Sequence, residues 1–226
     1  MLYGNLKNMN TNPKAKRILC FGDSNVWGYV SGSNHNRYSP DVRWPGHLQN
    51  LLGGNYEIIE EGLNSRGVSM GDPRPGKEGR SAKEYIVPCL DSHDPLDLVI
   101  ILLGTNETKS VFGLTAEQIS GNLLELLNVI ISRNSQFRTQ KPKVLLISPI
   151  LINENTEYCL KGDKYKGASE KIVELRKLLR GLADELAISY LELSRNVEPG
   201  PDGVHLTEKS HKKIALLVKN RVLDLL

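Results

Sequence analysis

Polar residues that could carry out nucleophilic catalysis stand at separate points of the sequence. Ser24 follows a short apolar run that ends in Gly22-Asp23, and Asp202 and His205 share a loop rich in proline and glycine. A carboxylate at this spacing can turn back onto Nδ1 of the imidazole and fix its tautomer, which leaves Nε2 free to accept a proton from a serine. These side chains therefore predict a nucleophile, its base and the acid that orients the base.

Asn106 is a further candidate, because it follows the most apolar run of the chain, residues 96–103. Its side-chain amide could donate to a developing oxyanion, which can contribute a few kcal/mol to binding of a transition state. Each candidate also has an ordinary interpretation: Ser24 and Asn106 as turn residues, and Asp202 with His205 as a solvated entry to a helix. The conjunction of all four favours catalysis.

The elements that must position these residues alternate along the chain. Apolar runs predict strands at residues 17–22, 56–60, 96–103, 144–147 and 187–193. Helical signals are a Trp44-Pro45 start that leads to Leu52, a capping box at Thr115 that leads to Ser132, an apolar stripe from Ile172 to Leu186, and a Thr207 cap. The alternation predicts an α/β fold, a three-layer α/β/α sandwich with a central parallel sheet of about five strands.

The remaining stretches carry weaker signals. Residues 1–16 are polar and predict a disordered extension to a single domain at 17–226. The loop at 68–80, rich in glycine and proline, is either a plain connection, a lid or a subunit contact, and residues 150–167 form a loop with at most a turn of helix. Trp27 and Trp44 are candidates for an apolar wall that binds the acyl or alcohol group, or else for core or subunit-contact aromatics.

Composition excludes several classes of protein. The chain has 226 residues and a net charge of +3, with its basic residues spread along it, so nucleic acid is not an expected partner. No segment is apolar enough to insert into a membrane, and the N-terminus lacks the features of a signal peptide. Cys20, Cys89 and Cys159 form no C-x-x-C pair, which argues against a disulfide framework or a zinc knuckle. A cytoplasmic location is therefore expected.

Taken in order, the blocks Gly22-Asp23-Ser24, Gly104-Thr105-Asn106-Glu107 and Asp202-x-x-His205 resemble the SGNH, or GDSL-type, hydrolase family. The resemblance covers nearly all of residues 17–226. It implies that Ser24 is the nucleophile, that His205 is the base oriented by Asp202, and that the backbone of Ser24 and the amide of Asn106 contribute to an oxyanion hole.

The second block of the family is matched less well. The family normally has a glycine there whose backbone N–H is another oxyanion donor, and aligning Asn64-Ser65-Arg66 with the block puts Ser65 at that position. Because the donor is a backbone group, a small side chain need not abolish it. Ser65 is the expected donor and Gly62 is the alternative.

Other motifs are similar to the aryl esterase branch of the family, which includes perhydrolases and acyltransferases. They are Asp41-Val42-Arg43-Trp44, Glu60-Glu61-Gly62-Leu63, Pro88-Cys89-Leu90 and the run from Pro95 to Ile100. The resemblance implies a serine esterase that acts on short-chain aryl or alkyl esters, uses water or an alcohol as acceptor, forms a homo-oligomer and requires no metal or organic cofactor.

Two alternatives remain at this stage. A flavodoxin-like binding module would share the sheet, but neither a G-x-x-x-x-G-K nor a G-x-G-x-x-G phosphate motif follows a strand. Within the enzyme class, a carbohydrate O-deacetylase, a thioesterase or a lysophospholipase stays open, because a catalytic triad does not select the leaving group.

Overall fold

A parallel sheet lies at the centre of the computed structural model, which describes residues 10–135 and 141–226. Within those ranges the sheet has five strands in the order β2-β1-β3-β4-β5. The strands are β1 (Lys16–Gly22), β2 (Tyr56–Gly62), β3 (Leu98–Leu102), β4 (Lys143–Ile147) and β5 (Ser189–Leu191). The described α-helices are α1 (Ser24–Trp27), α2 (Trp44–Leu52), α3 (Ala82–Ser92), α4 (Ala116–Ser132), α5 (Glu157–Leu160), α6 (Ala168–Glu185) and α7 (Glu208–Leu225).

Side chains of the central strands alternate between the two faces of the sheet, as the period of a strand requires. On one face Leu19 and Ile101 belong to a buried cluster with α3, α4 and α6. On the other face Ile18 and Ile100 belong to a second cluster, with α2 and α7. Both faces of the sheet are therefore covered, which explains why β1 and β3 are nearly continuous apolar runs.

The strand order brings the predicted site residues to one edge of the sheet. Gly22 at the end of β1 pairs with Gly62 of β2 and Leu102 of β3, so these three strands end at the same level. Ligands of open α/β sheets bind at the carboxyl ends of the strands, where the strand order reverses. Here that reversal lies between β1, which Ser24 follows, and β3, which precedes Asn106.

The predicted α/β/α sandwich with a five-stranded parallel sheet is confirmed. The helix that begins at Trp44 ends at Leu52 as predicted, and Thr115 forms the predicted capping box of α4. The sequence analysis missed α3, because Pro88 lies inside it. A proline removes one backbone hydrogen bond from a helix and is ordinarily a signal that the helix has ended.

The predicted N-terminal extension falls partly outside the described residues, which begin at Asn10. The Asn10 side chain donates to the carbonyls of Gly54 and Tyr56, at 3.2 and 2.9 Å, and Asn12 also donates to Gly54. β1 begins at Lys16. The described part of the extension is thus fastened beside β2.

The helices and the cysteines of the described residues can be compared with the expectations from composition. None of its described helices has both the length and the apolarity needed to cross a membrane. Cys20, Cys89 and Cys159 are free thiols and all three are buried, as expected for a chain without a disulfide framework.

Candidate active site

Ser24 occupies the first position of α1, immediately after β1. Gly22 permits this tight turn, since a Cβ there would lie 2.3 Å from Cγ2 of Val26 and 2.4 Å from the carbonyl of Leu102. The Asp23 carboxylate accepts the backbone N–H of Asn25 at 2.8 Å and so caps the short helix. Each residue of Gly22-Asp23-Ser24 therefore has a local structural role. Together they place the Ser24 hydroxyl at the edge of the sheet.

His205 lies between Ser24 and Asp202 in an unbroken hydrogen-bonded series. Its Nε2 is 3.0 Å from Oγ of Ser24, and its Nδ1 is 2.7 Å from Oδ2 of Asp202. Each of the three residues is only 6% exposed. In this arrangement Nδ1 carries the proton that faces the carboxylate, and Nε2 can accept the serine proton.

The Asp202 carboxylate is fully occupied as an acceptor. Its Oδ1 accepts the backbone N–H groups of Val204 and His205, both at 2.9 Å, and its Oδ2 also accepts the N–H of Gly32 at 3.1 Å. Burial opposes ionisation of this group, but the hydrogen bonds and positive charge of His205 outweigh burial and hold the pKa of Asp202 well below its usual range. The Asp202 carboxylate is therefore ionised near neutral pH.

Two residues that the sequence analysis did not single out hold His205 against Ser24. The Asn25 side chain donates to the Val204 carbonyl at 3.3 Å and accepts the Leu206 N–H at 3.1 Å, so it bridges the serine turn and the histidine loop. The Tyr29 ring is stacked on the His205 ring with 4.2 Å between their centroids. Only the fold brings these segments together, since they are about 180 positions apart in sequence.

Asn106 begins a short 3-10 turn after β3. Its Nδ2 donates to the Arg66 carbonyl at 3.0 Å, and its Oδ1 accepts a hydrogen bond from Nζ of Lys109 at 2.7 Å. These two contacts fix which end of the amide is nitrogen, because one partner is an acceptor and the other a donor. Nδ2 has a second hydrogen to donate, and Asn106 lines the cavity that also contains Ser24.

Ser65 adopts a left-handed backbone conformation, with φ of 64°. Glycine is the residue that adopts this conformation without strain, which gives a physical reason for the glycine expected at this position. No acceptor within residues 10–135 and 141–226 takes the Ser65 backbone N–H. At the alternative position Gly62, a Cβ would lie 2.2 Å from the Trp27 nitrogen, so the glycine allows α1 to pack on β2.

A cavity of about 150 Å³ brings most of the predicted residues together. Ser24, Ser65, Asn106 and His205 all line it. The rest of its lining consists of residues that were not predicted as site residues: Tyr29, His35, Asn64, Arg74, Lys77, Lys109, Tyr158 and Tyr165. The loop at 68–80 supplies Arg74 and Lys77, and the loop at 150–167 supplies Tyr158 and Tyr165. Both loops therefore form walls of the cavity.

The tryptophans predicted as substrate-binding residues do not line this cavity. Trp44 is 0% exposed in the core beneath the sheet, and its backbone N–H donates to Nδ1 of His211 at 3.1 Å. Trp27 lies beneath the Arg37 guanidinium, 4.9 Å from its ring centroid. Trp44 therefore has the core role given as the alternative, with a large aromatic of α2 packed in the cluster that α2 and α7 share, and the described cavity wall consists of tyrosines and polar groups. A substrate-binding role for Trp27 stays a prediction.

Three buried ionisable groups lie around the cavity. Burial raises the pKa of Asp23 to about 6 and that of Glu107 to about 7, although backbone hydrogen bonds to each carboxylate act in the opposite direction. Burial lowers the pKa of Lys109 to about 8, although the Asp72 carboxylate 3.9 Å away favours its charge. A change of pH near neutrality therefore alters the charge around the site.

A group of potential metal ligands lies elsewhere, on β2 and α3. Ligand atoms of Glu61, Cys89 and His93 are all within 4.8 Å of one another. Nε2 of His93 and Oε1 of Glu61 are hydrogen-bonded at 2.9 Å, and burial raises the pKa of the Cys89 thiol to about 12. Glu61 and His93 are therefore already paired, and none of the three residues is among those that line the cavity with Ser24.

Comparison with known proteins agrees with the fold and the order of the blocks. Residues 20–213 match the model of the GDSL-like lipase/acylhydrolase family, and the chain belongs to that family. It is a carboxylic ester hydrolase of the SGNH type.

Solved structures narrow the relationship to the aryl esterase branch. An aryl esterase from M. smegmatis is 36% identical, with a TM-score of 0.84 over 94% of this chain and 100% of that one. A carbohydrate acetylesterase from Sinorhizobium meliloti is 32% identical, with a TM-score of 0.85 over 93% of this chain and 100% of that one. Comparison with curated proteins gave no match.

Proposed function

We propose that this protein is a serine esterase that hydrolyses short-chain acyl esters of aryl or alkyl alcohols through an acyl-enzyme on Ser24. The observation that carries the proposal is the buried series of hydrogen bonds from Ser24 through His205 to Asp202, at 3.0 and 2.7 Å. A serine is a weak nucleophile at its ordinary pKa and requires a base of this kind.

In the first half of the reaction Oγ of Ser24 attacks the ester carbonyl while Nε2 of His205 takes the serine proton. Asp202 stabilises the imidazolium that forms. The oxyanion accepts hydrogen bonds from the backbone N–H groups of Ser24 and Ser65 and from the Nδ2 group of Asn106. The intermediate collapses when the bond to the alcohol oxygen breaks and His205 gives its proton to that oxygen, which leaves an acyl-serine.

In the second half a water molecule or an alcohol attacks the acyl-serine. His205 takes the proton of the attacking oxygen and returns a proton to Oγ of Ser24 as the acyl bond breaks. The products are the free acid, or a new ester when the acceptor is an alcohol. Acyltransferase or perhydrolase side activity, a homo-oligomeric state and a cytoplasmic location stay predictions from the family resemblance.

The size of the cavity supports short acyl groups. Its volume of about 150 Å³ is below the usual range for pockets that bind drug-sized ligands, and Tyr158 and Tyr165 limit it on one side. The lining of this cavity itself offers a long acyl chain no apolar channel.

Carbohydrate O-deacetylation is a second candidate. The cavity wall is rich in polar side chains, among them His35, Asn64 and Lys77, which could bind sugar hydroxyls. The similarity to a carbohydrate acetylesterase favours the same alternative. Both candidates include acetyl esters as substrates, and for these esters they differ only in the alcohol.

A fluorophosphonate probe and p-nitrophenyl acetate test the proposal. The wild type should react covalently with the probe and turn over the ester, while Ser24→Ala should lose labelling and at least about 10³-fold in kcat. Ser132→Ala, at an exposed serine of α4, is the matched control and should behave as wild type. Undiminished turnover by Ser24→Ala would sink the mechanism. A series of aryl and sugar acetates then separates the two candidates.

A further inference from the structure

A second cavity, of about 380 Å³, opens beside the one that holds Ser24. The two share Arg74 and Lys109. We call it the side groove, and its lining residues are Asp72, Pro73, Arg74, Lys109, Ser110, Val111, Phe112, Lys161, Gly162 and Lys164. A molecule bound at Ser24 can therefore extend into the side groove past Lys109.

Positive charge is concentrated in this groove. Its lining holds four basic residues, including Lys161 and Lys164, and Asp72 is the one acid among those ten residues. The Asp72 carboxylate is already hydrogen-bonded by Arg74 and lies 3.9 Å from Lys109. The net charge of the whole chain is only +3, so the groove is far more positive than the average surface.

Nearby carboxylates do not balance all the positive charges of the lysines that line the side groove. Within the described residues neither Lys161 nor Lys164 forms an ion pair, and the ammonium of Lys164 lies 3.7 Å from the ring centroid of Tyr158. Lys109 is buried, and besides burial the positive charges of Arg74 and Lys164 lower its pKa. Like charges held this close are stabilised by an anion that binds among them.

We propose that the side groove binds an anionic group, a carboxylate, sulfate or phosphate, on the alcohol portion of the ester substrate. This inference rests on the proposed function of Ser24. It adds a substrate class to that function: esters whose leaving alcohol carries a negative charge.

The position of the groove relative to His205 assigns it to the alcohol. His205 protonates the departing alcohol, so the alcohol must lie on the side of the imidazole. The Tyr158 ring is 6.3 Å from the His205 ring, and Lys164 lies against the same tyrosine. Phe112 and Val111, which is 69% exposed, give the groove an apolar side on which an aromatic ring of the alcohol can pack.

A matched pair of acetates tests this inference: 4-acetoxybenzoate, whose leaving phenol carries a carboxylate, and its neutral methyl ester. The value of kcat/KM for each is divided by its rate of hydrolysis by hydroxide, which removes the difference in intrinsic reactivity. We expect the wild type to prefer the anionic ester about tenfold at low salt, mainly through KM, and the preference to fall as salt rises.

Two variants report on the groove and one serves as control. Lys164→Gln and the exposed Lys161→Gln should each reduce the preference about threefold or more. Lys212→Gln, at a lysine on α7 that is 51% exposed and pairs with Glu208, should keep the wild-type preference.

The outcomes separate this inference from the proposed function. Efficient hydrolysis of the neutral ester with no preference for the anionic one, or a preference that both groove variants retain, would overturn the side groove and leave the esterase proposal intact. Failure of the wild type to hydrolyse either ester or to react with the fluorophosphonate would overturn both.

Discussion

Nζ of Lys109 donates a hydrogen bond to Oδ1 of Asn106 across 2.7 Å, and both residues are 5% exposed. The same amide donates through Nδ2 to the Arg66 carbonyl. An amide held at both ends keeps its orientation while charge develops on the substrate, which is the condition for effective stabilisation of an oxyanion. The Lys109 ammonium also brings a positive charge next to the proposed oxyanion site.

Replacing Lys109 should therefore slow the chemical step. In Lys109→Met we expect kcat for p-nitrophenyl acetate to fall 10- to 100-fold with a smaller change in KM, since Asn106 loses its donor and the site loses a charge. Lys109→Arg should recover part of the rate. Steady-state kinetics beside a thermal unfolding curve check this: a lower melting temperature with unchanged kcat would assign Lys109 a purely structural role.

Ser65 gives a prediction about backbone conformation. A serine at φ of 64° is strained by roughly 1 kcal/mol, so Ser65→Gly should stabilise the protein by up to about that amount. Its esterase activity should stay within a few fold of wild type, because the proposed donor is the backbone N–H. Urea unfolding and kcat are the measurements.

Gly62→Ala is the contrasting variant for this pair of positions. Its new Cβ would lie 2.2 Å from the Trp27 nitrogen, so it should destabilise the fold by several kcal/mol. A Ser65→Gly enzyme that folds normally but loses its activity would argue that the serine side chain, rather than its backbone, serves the reaction.

The sequence was sufficient to predict the sheet because the strands are buried on both faces. Continuous apolar runs followed by Gly22 or Gly104 have few other structural interpretations, and the side chains that follow them necessarily meet at one edge. The spacing of Asp202 and His205 likewise carried enough local information to predict their contact.

The walls of the cavity could not be predicted in the same way. Arg74 and Tyr158 belong to loops without periodic patterns, and only the packing of distant segments directs them toward Ser24. Trp44 shows the opposite case. It was a candidate for the cavity wall because it is a large aromatic residue near Ser24 in the sequence, but it is 0% exposed in the core. Hydrophobic side chains are the usual material of both cores and pockets, so the residue type alone did not distinguish the two.

Asn25 supplies a third prediction, because it ties the serine turn to the histidine loop. Asn25→Ala removes a donor to the Val204 carbonyl and an acceptor for the Leu206 N–H, and leaves both groups buried. We expect a loss of about 1 to 3 kcal/mol in the free energy of unfolding and a fall in kcat of at least tenfold. Asn128→Ala, at an exposed asparagine of α4, is the control for both measurements, and equal behaviour of the two variants would contradict the bridging role.

Ionisation of Glu107 should lower the stability of the protein as pH rises toward neutrality. Burial raises the pKa of Glu107 to about 7, above its usual 4.5, so the folded state binds this proton more tightly than the unfolded chain. The resulting stabilisation is complete below about pH 4.5 and is lost as pH rises through about 7. Integrated over that range it is on the order of 3 kcal/mol. Asp23, with its pKa raised to about 6 by burial, acts in the same direction at lower pH.

Glu107→Gln isolates the contribution of Glu107. The glutamine oxygen can still accept the Val68 N–H that Oε1 of Glu107 accepts, while the charge is absent at every pH. Urea unfolding of this variant between pH 5 and 8 should show a clearly shallower decline in free energy than the wild type. Parallel pH profiles for the two proteins would mean that another group binds the proton.

Asp202→Asn tests the role of the acid with little change in shape. The asparagine oxygen can keep the Oδ1 contacts to the backbone N–H groups of Val204 and His205, so the loop should hold its conformation. At the other end an NH₂ group replaces Oδ2, so the N–H of Gly32 loses its acceptor and Nδ1 of His205 must become an acceptor. The imidazole proton moves to Nε2, where it can no longer take the proton of Ser24. We therefore expect kcat to fall about 10⁴-fold with a melting temperature within a few degrees of wild type. A decrease of less than tenfold would show that His205 keeps its tautomer without the Asp202 carboxylate.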